Sequence, residues 1–131
     1  MRGVDIIFHE AAFVSVPESM ERPQECFDIN VSGTSILLDV ARKAGIRRVV
    51  IASSAAVYGD SEMMPLSEET ALRQLSPYAV SKRVSEMYAE LFTGQWIDVL
   101  LKNVTDNAIL LLTIETGVMV IGRAFAGPVV H

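Results

Sequence analysis

Along this chain the apolar residues change their spacing in a regular order, and each change marks an element. Val4 to Phe8 is a nearly unbroken apolar run ending at His9-Glu10-Ala11-Ala12, the pattern of a strand buried on both faces, as in a parallel sheet. The small residues after it would let a ligand approach the backbone. Phe13 to Arg22 breaks the pattern between Pro17 and Pro23, and is expected to be a loop with one short helical turn. Pro23 opens a long helix to Ala44 with Phe27, Val31, Leu38 and Ala41 on its apolar face, stopped at Gly45. A β-branched run from Arg48 to Ala52 then makes strand, helix and strand into one βαβ unit with a right-handed crossover.

The polar stretch Asp60 to Leu75 separates that strand from a second long helix, expected from Pro77 to Thr93. Its buried stripe is expected to be Val80, Val84, Met87 and Leu91, and its stop Gly94. Trp96 to Leu101 is a third candidate strand. The apolar tail from Ala108 to His131 alternates Gly117, Gly122 and Gly127 with Val, Ile, Met and Phe, a pattern for one or two short strands.

Composition narrows the class. A chain of 131 residues, 50% hydrophobic and 21% charged, suits one globular domain. A net charge of -5 with scattered Lys and Arg offers no footprint for nucleic acid or an anionic membrane. The single Cys26 excludes an internal disulfide, fits a reducing compartment, and is expected to be a small buried hydrophobe. Asp5, His9 and Glu10 interrupt any leader-like run, and Glu115 and Arg123 argue against a spanning helix in the tail. A soluble cytoplasmic protein with no metal site is the expectation.

The candidate chemistry centres on Tyr78-Ala79-Val80-Ser81-Lys82. Four residues apart on a helix, Tyr78 and Lys82 project from one face, and a nearby ammonium favours the ionised form of a phenol whose ordinary pKa is ~10. Ser53 and Ser54 stand just past the carboxyl end of a strand, where open α/β sheets bind ligands.

Taken in order, His9-x-Ala11-Ala12, Asp28-Ile29-Asn30-Val31-x-Gly33-Thr34, Ser53-Ser54-x-x-Val57-Tyr58-Gly59 and Tyr78-x-x-x-Lys82 resemble the extended short-chain dehydrogenase/reductase family, and within it the NAD-dependent nucleotide-sugar epimerases and dehydratases. The likeness runs from about Gly3 to Thr93. It implies a partial Rossmann-like α/β fold, a doubly wound parallel sheet in three α/β/α layers, over residues 1–101, with 102–131 as an atypical tail. It further implies Tyr78 as general base and acid, Lys82 as its activator and holder of the nicotinamide ribose, and Ser54 as hydrogen-bond partner of the reacting oxygen. Ser53, Asn30, Ala11 and Ala12 would complete the NAD side. For Asn30 a local helix kink is an equal reading, and for His9 simple packing outweighs catalysis.

Family members that dehydrate the sugar carry an Asp-Glu pair where this chain has Ala55 and Ala56, so the resemblance implies 4-epimerisation of a UDP-sugar, with decarboxylases and reductases left open. It also implies a homodimer built from the two long helices. None of the eight glycines forms the Gly-rich turn that cradles a dinucleotide pyrophosphate, and the segment after Leu101 does not continue as the family does. A partial enzyme and a non-catalytic dimerisation module therefore both stand, and NAD is not separable from NADP by these residues.

Overall fold

A computed structural model describes residues 4–60, 71–103 and 118–121. Strands β1 (Ile6–His9), β2 (Arg48–Ser53), β3 (Asp98–Asn103) and β4 (Val118–Ile121) lie parallel in the order β3-β2-β1-β4. Ile6 stands opposite Arg48 on one side and Val118 on the other, while Ser53 stands opposite Asn103. The tail thus supplies the strand that pairs the free edge of β1. β3 begins later than Trp96 because the amides of Gln95, Trp96 and Ile97 all fold back onto the Phe92 carbonyl. Trp96 meets the Phe92 ring edge-on at 5.0 Å.

Helix α1 (Val16–Glu21) occupies the stretch expected to be mostly loop; Ser15 caps it and Pro17 lies in its first turn. The long helix expected from Pro23 follows one path but in three parts: α2 (Pro23–Phe27), a π-helical turn over Asp28–Ser32, and α3 (Gly33–Lys43). In the π turn the Gly33 amide reaches back to the Asp28 carbonyl. Helix α4 (Pro77–Phe92) starts at Ser76, whose hydroxyl accepts the Ala79 amide at 3.1 Å.

Right-handed crossovers bring α3 and α4 to the same side of the sheet. Between them lies the core: Ile7, Val49, Ile51 and Val99 from the strands, Leu38 and Ala41 from α3, and Ala89 and Phe92 from α4. The alternate strand residues Ile6, Phe8, Val50 and Ala52 point to the opposite face and are half-buried.

The helix faces correct the sequence reading. Val31, Leu38 and Ala41 are buried as expected, but Phe27 is 46% exposed. On α4 the expected buried stripe points outward: Val80, Met87 and Leu91 are each about half exposed, and Val84 is half-buried. The buried face is instead Tyr78, Ala79, Ser81, Lys82, Ser85, Glu86, Ala89 and Phe92. Close approach to α2, the π turn and β2 selects small side chains there, and hydroxyls pair the polar groups brought with them.

Candidate active site at the carboxyl ends of the strands

The carboxyl ends of β1 and β2 and the first turns of α4 converge on one place. Past β2, Ser54 caps a 3-10 turn over Ala55–Tyr58 by accepting the Ala56 amide at 3.2 Å. Gly59 then turns the chain at φ 63°, ψ -150°, a region open essentially to glycine alone. A Cβ there would also lie 2.3 Å from the Arg73 carbonyl oxygen.

Tyr78 is buried, its ring packed with Phe13, Cys26 and Ala56. Ala56, whose amide Ser54 accepts, packs against this cluster. The Tyr78 amide donates to Ser19 Oγ at 3.2 Å, so α1 braces the start of α4. Lys82 Nζ donates to the Ala52 carbonyl at 2.9 Å and lies 5.9 Å from the centre of the Tyr78 ring. Burial lowers the Lys82 ammonium to about 8, against the raising influence of Cys26 and Glu86. Ser53, also buried, donates to the Glu86 carboxylate, which Arg83 pairs at 3.0 Å from its other side.

Asn30 is spent inside the protein. Its Oδ1 accepts the Phe13 amide at 2.7 Å, and its Nδ2 donates to the Phe13 carbonyl at 3.0 Å and to Ser81 Oγ at 2.8 Å. It thereby clamps the half-buried loop carrying Ala11 and Ala12 onto α4. Its own carbonyl accepts the hydroxyls of Thr34 at 2.6 Å and Ser85 at 3.2 Å. Asn30 sits at a helix irregularity, as the kink reading expected, and its side chain ties Phe13 to Ser81. Cys26 is fully buried, as expected. His9 is buried and held by Thr34; burial, then the Lys82 charge, lowers its pKa to about 4.

Sequence reasoning missed Ser19, Thr34, Ser81, Ser85 and Glu86, which hold the candidate residues in place. For Ser81 and Ser85 the signal was the spacing Tyr78, Ser81, Lys82, Ser85, Ala89, Phe92, a helical face written largely in small and polar residues. Among the described residues no group of acidic, His or Cys side chains has the arrangement of a metal site, and no helix is long and apolar enough to cross a membrane.

The parallel strands, with a Tyr and a Lys one helical turn apart on the helix that follows β2, form a partial Rossmann-like α/β fold. The chain belongs to the NAD dependent epimerase/dehydratase family, whose profile matches residues 1–105. It is 45% identical over 78 residues to the UDP-glucose 4-epimerase of Streptomyces lividans, covering 60% of this chain and 24% of that protein. To the putative UDP-glucose 4-epimerase of Methanocaldococcus jannaschii it is 41% identical over 92 residues, covering 70% and 30%. The UDP-N-acetylglucosamine 4-epimerase of Methanobrevibacter ruminantium, solved with UDP-N-acetylmuramic acid, superposes with a TM-score of 0.71 at 34% identity over 74% of this chain and 32% of that one. The UDP-glucose 4-epimerase of Brucella ovis, solved with NAD, gives 0.73 at 29% over 76% and 31%. The chain thus spans between a quarter and a third of the length of these relatives.

Proposed function

We propose that this chain carries the acid–base half of an NAD-dependent UDP-sugar 4-epimerase. The observation that carries the reading is the buried Lys82 ammonium, fixed to the Ala52 carbonyl and lying beside the Tyr78 ring at the serine-bearing end of β2. With that cation close, the Tyr78 phenolate takes the proton of the sugar C4 hydroxyl as the carbon is oxidised, and gives it back on reduction. Ser54 hydrogen-bonds the same oxygen. NAD, when bound, would supply the hydride acceptor and donor that oxidation and reduction at C4 require.

Tyr78, Lys82 and Ser53 would hold the nicotinamide ribose side, with Ala11 and Ala12 leaving room for it on the loop that Asn30 clamps. Ala55 and Ala56 bring no carboxyl group beside Ser54, which favours epimerisation over elimination of water. We read residues 1–101 as the dinucleotide-domain part and 102–131 as an appended tail, in a cytoplasmic protein.

The outward stripe of Val80, Met87 and Leu91, with Phe27 exposed on the neighbouring helix, supports a homodimer through these helices. It also favours the second reading, a dimerisation module without catalysis. Calorimetric titration with NAD decides between them. Binding supports the enzyme, and a concentration-dependent dimer indifferent to NAD supports the module. If the chain turns over UDP-galactose, Tyr78→Phe is expected to abolish that turnover while the fold survives; retained turnover overturns the assignment.

A further inference from the structure

We propose that His9 is a positioning residue that acts on Lys82 through one buried water molecule. The orientation of the imidazole follows from counting protons. Thr34 Oγ1 has a single hydrogen, which it donates to the Asn30 carbonyl at 2.6 Å. The contact of 2.9 Å between Thr34 Oγ1 and His9 Nε2 is therefore made with the proton on Nε2. Nδ1 is then a bare acceptor, and it is a buried side-chain polar atom with no hydrogen-bond partner among the described residues. Leaving such a group unpaired costs about 1–3 kcal/mol.

His9 lines a small cavity together with Asn30, Thr34, Ala52, Lys82 and Ser85. The cavity leaves about 10 Å³ for the centre of a water-sized sphere, enough for one water molecule. Lys82 has three N–H donors and spends one on Ala52. The Asn30 carbonyl already accepts Thr34 and Ser85, so its two lone pairs are taken. A water here accepts from Lys82 and donates to His9 Nδ1. Its second proton has the Ser85 oxygen as an acceptor, giving the three bonds that buried waters typically make. With both protons drawn away, its oxygen faces the ammonium and supports the charged form of Lys82 against burial. His9 serves this role as a neutral ring, which its lowered pKa of about 4 preserves at neutral pH; Lys82 is the charged group that acts on it.

The inference deepens the reading of Lys82 given above, and its test needs neither cofactor nor substrate, so its failure is distinct from a failed NAD titration. In the ligand-free full chain, long-range proton–nitrogen NMR is expected to show His9 protonated at Nε2, with Nδ1 shifted as an acceptor of a hydrogen bond. A protonated or non-bonded Nδ1 overturns the proposal. His9→Gln keeps a donor towards Thr34 but loses the Nδ1 acceptor, whereas His9→Asn keeps an acceptor at the Nδ1 position. Followed through the Lys82 Cε resonance, the acid dissociation constant of Lys82 is expected to rise about three- to tenfold in His9→Gln, an effect the size of one hydrogen bond. In His9→Asn it is expected to stay near the parent value. Equal titration in the parent and His9→Gln, or equal shifts in both variants, contradicts it. If the variants do not fold, the nitrogen shifts of the parent decide alone.

Discussion

Helix α4 has two faces of opposite character, and each lies where hydrophobicity alone would not put it. The inward face carries Ser81, Lys82, Ser85 and Glu86, while the outward face carries Val80, Met87 and Leu91. Burial on the inner side is tolerated because each polar group has a partner: Asn30 donates to Ser81, Ser85 donates to backbone carbonyls, Lys82 holds Ala52, and Glu86 takes Ser53 and Arg83. The outer side is an apolar stripe, with Val80, Met87 and Leu91 each about half exposed. One helix can therefore bury a polar face and leave an apolar face exposed in the single chain.

The largest expected effect comes from the inner face. Ser81→Leu overfills a buried position and strips Asn30 of an acceptor, so denaturant unfolding should show a loss of about 3 kcal/mol or more. A loss within 0.5 kcal/mol, a rough limit for surface changes, would erase the contrast between the faces.

Next come two titrations, with opposite pH windows. His9 is lowered from 6.5 to about 4, so the unfolded chain binds its proton first as pH falls. Stability is expected to drop between those values by roughly 3 kcal/mol, and His9→Gln should flatten that part of the profile. Lys82 is lowered from 10.5 to about 8, so its buried charge penalises the fold fully below pH 8. From this group stability should rise by roughly 3 kcal/mol between pH 8 and 10.5, and Lys82→Met should abolish the rise. Both are read by urea unfolding across pH.

The smallest effect on the folded chain is expected outside. Replacing Val80, Met87 or Leu91 by Gln should shift monomer stability by no more than about 0.5 kcal/mol. In sedimentation, however, Met87→Glu should leave a monomer at concentrations where the parent pairs.

Much of the framework was legible. β-branched runs located β1 and β2, Pro and Gly bounded the helices, and spacing and strand ends singled out Tyr78, Lys82, Ser53 and Ser54 as candidates. The stripe on α4 was misassigned because 80, 84, 87 and 91 share the same helical periodicity as 78, 81, 82, 85, 89 and 92; hydrophobicity then chose the face that remains exposed in the single chain. A kink at Asn30 was among the readings, but its π form was not, since Thr34, Ser85 and Phe13 converge on Asn30 only in the fold. Helix α1 was read as little more than a turn, although Ser15 and Pro17 are its start signals. The expected surface loop lies partly in residues 61–70, and most of the tail likewise falls outside the described residues.

The central claim is that the buried Lys82 charge activates Tyr78. Carbon NMR of tyrosine-labelled chain, titrated in the parent and in Lys82→Met, tests it most directly. The Tyr78 phenol is expected to ionise at a distinctly higher pH once the ammonium is gone. An unchanged Tyr78 titration in a folded Lys82→Met chain would contradict it.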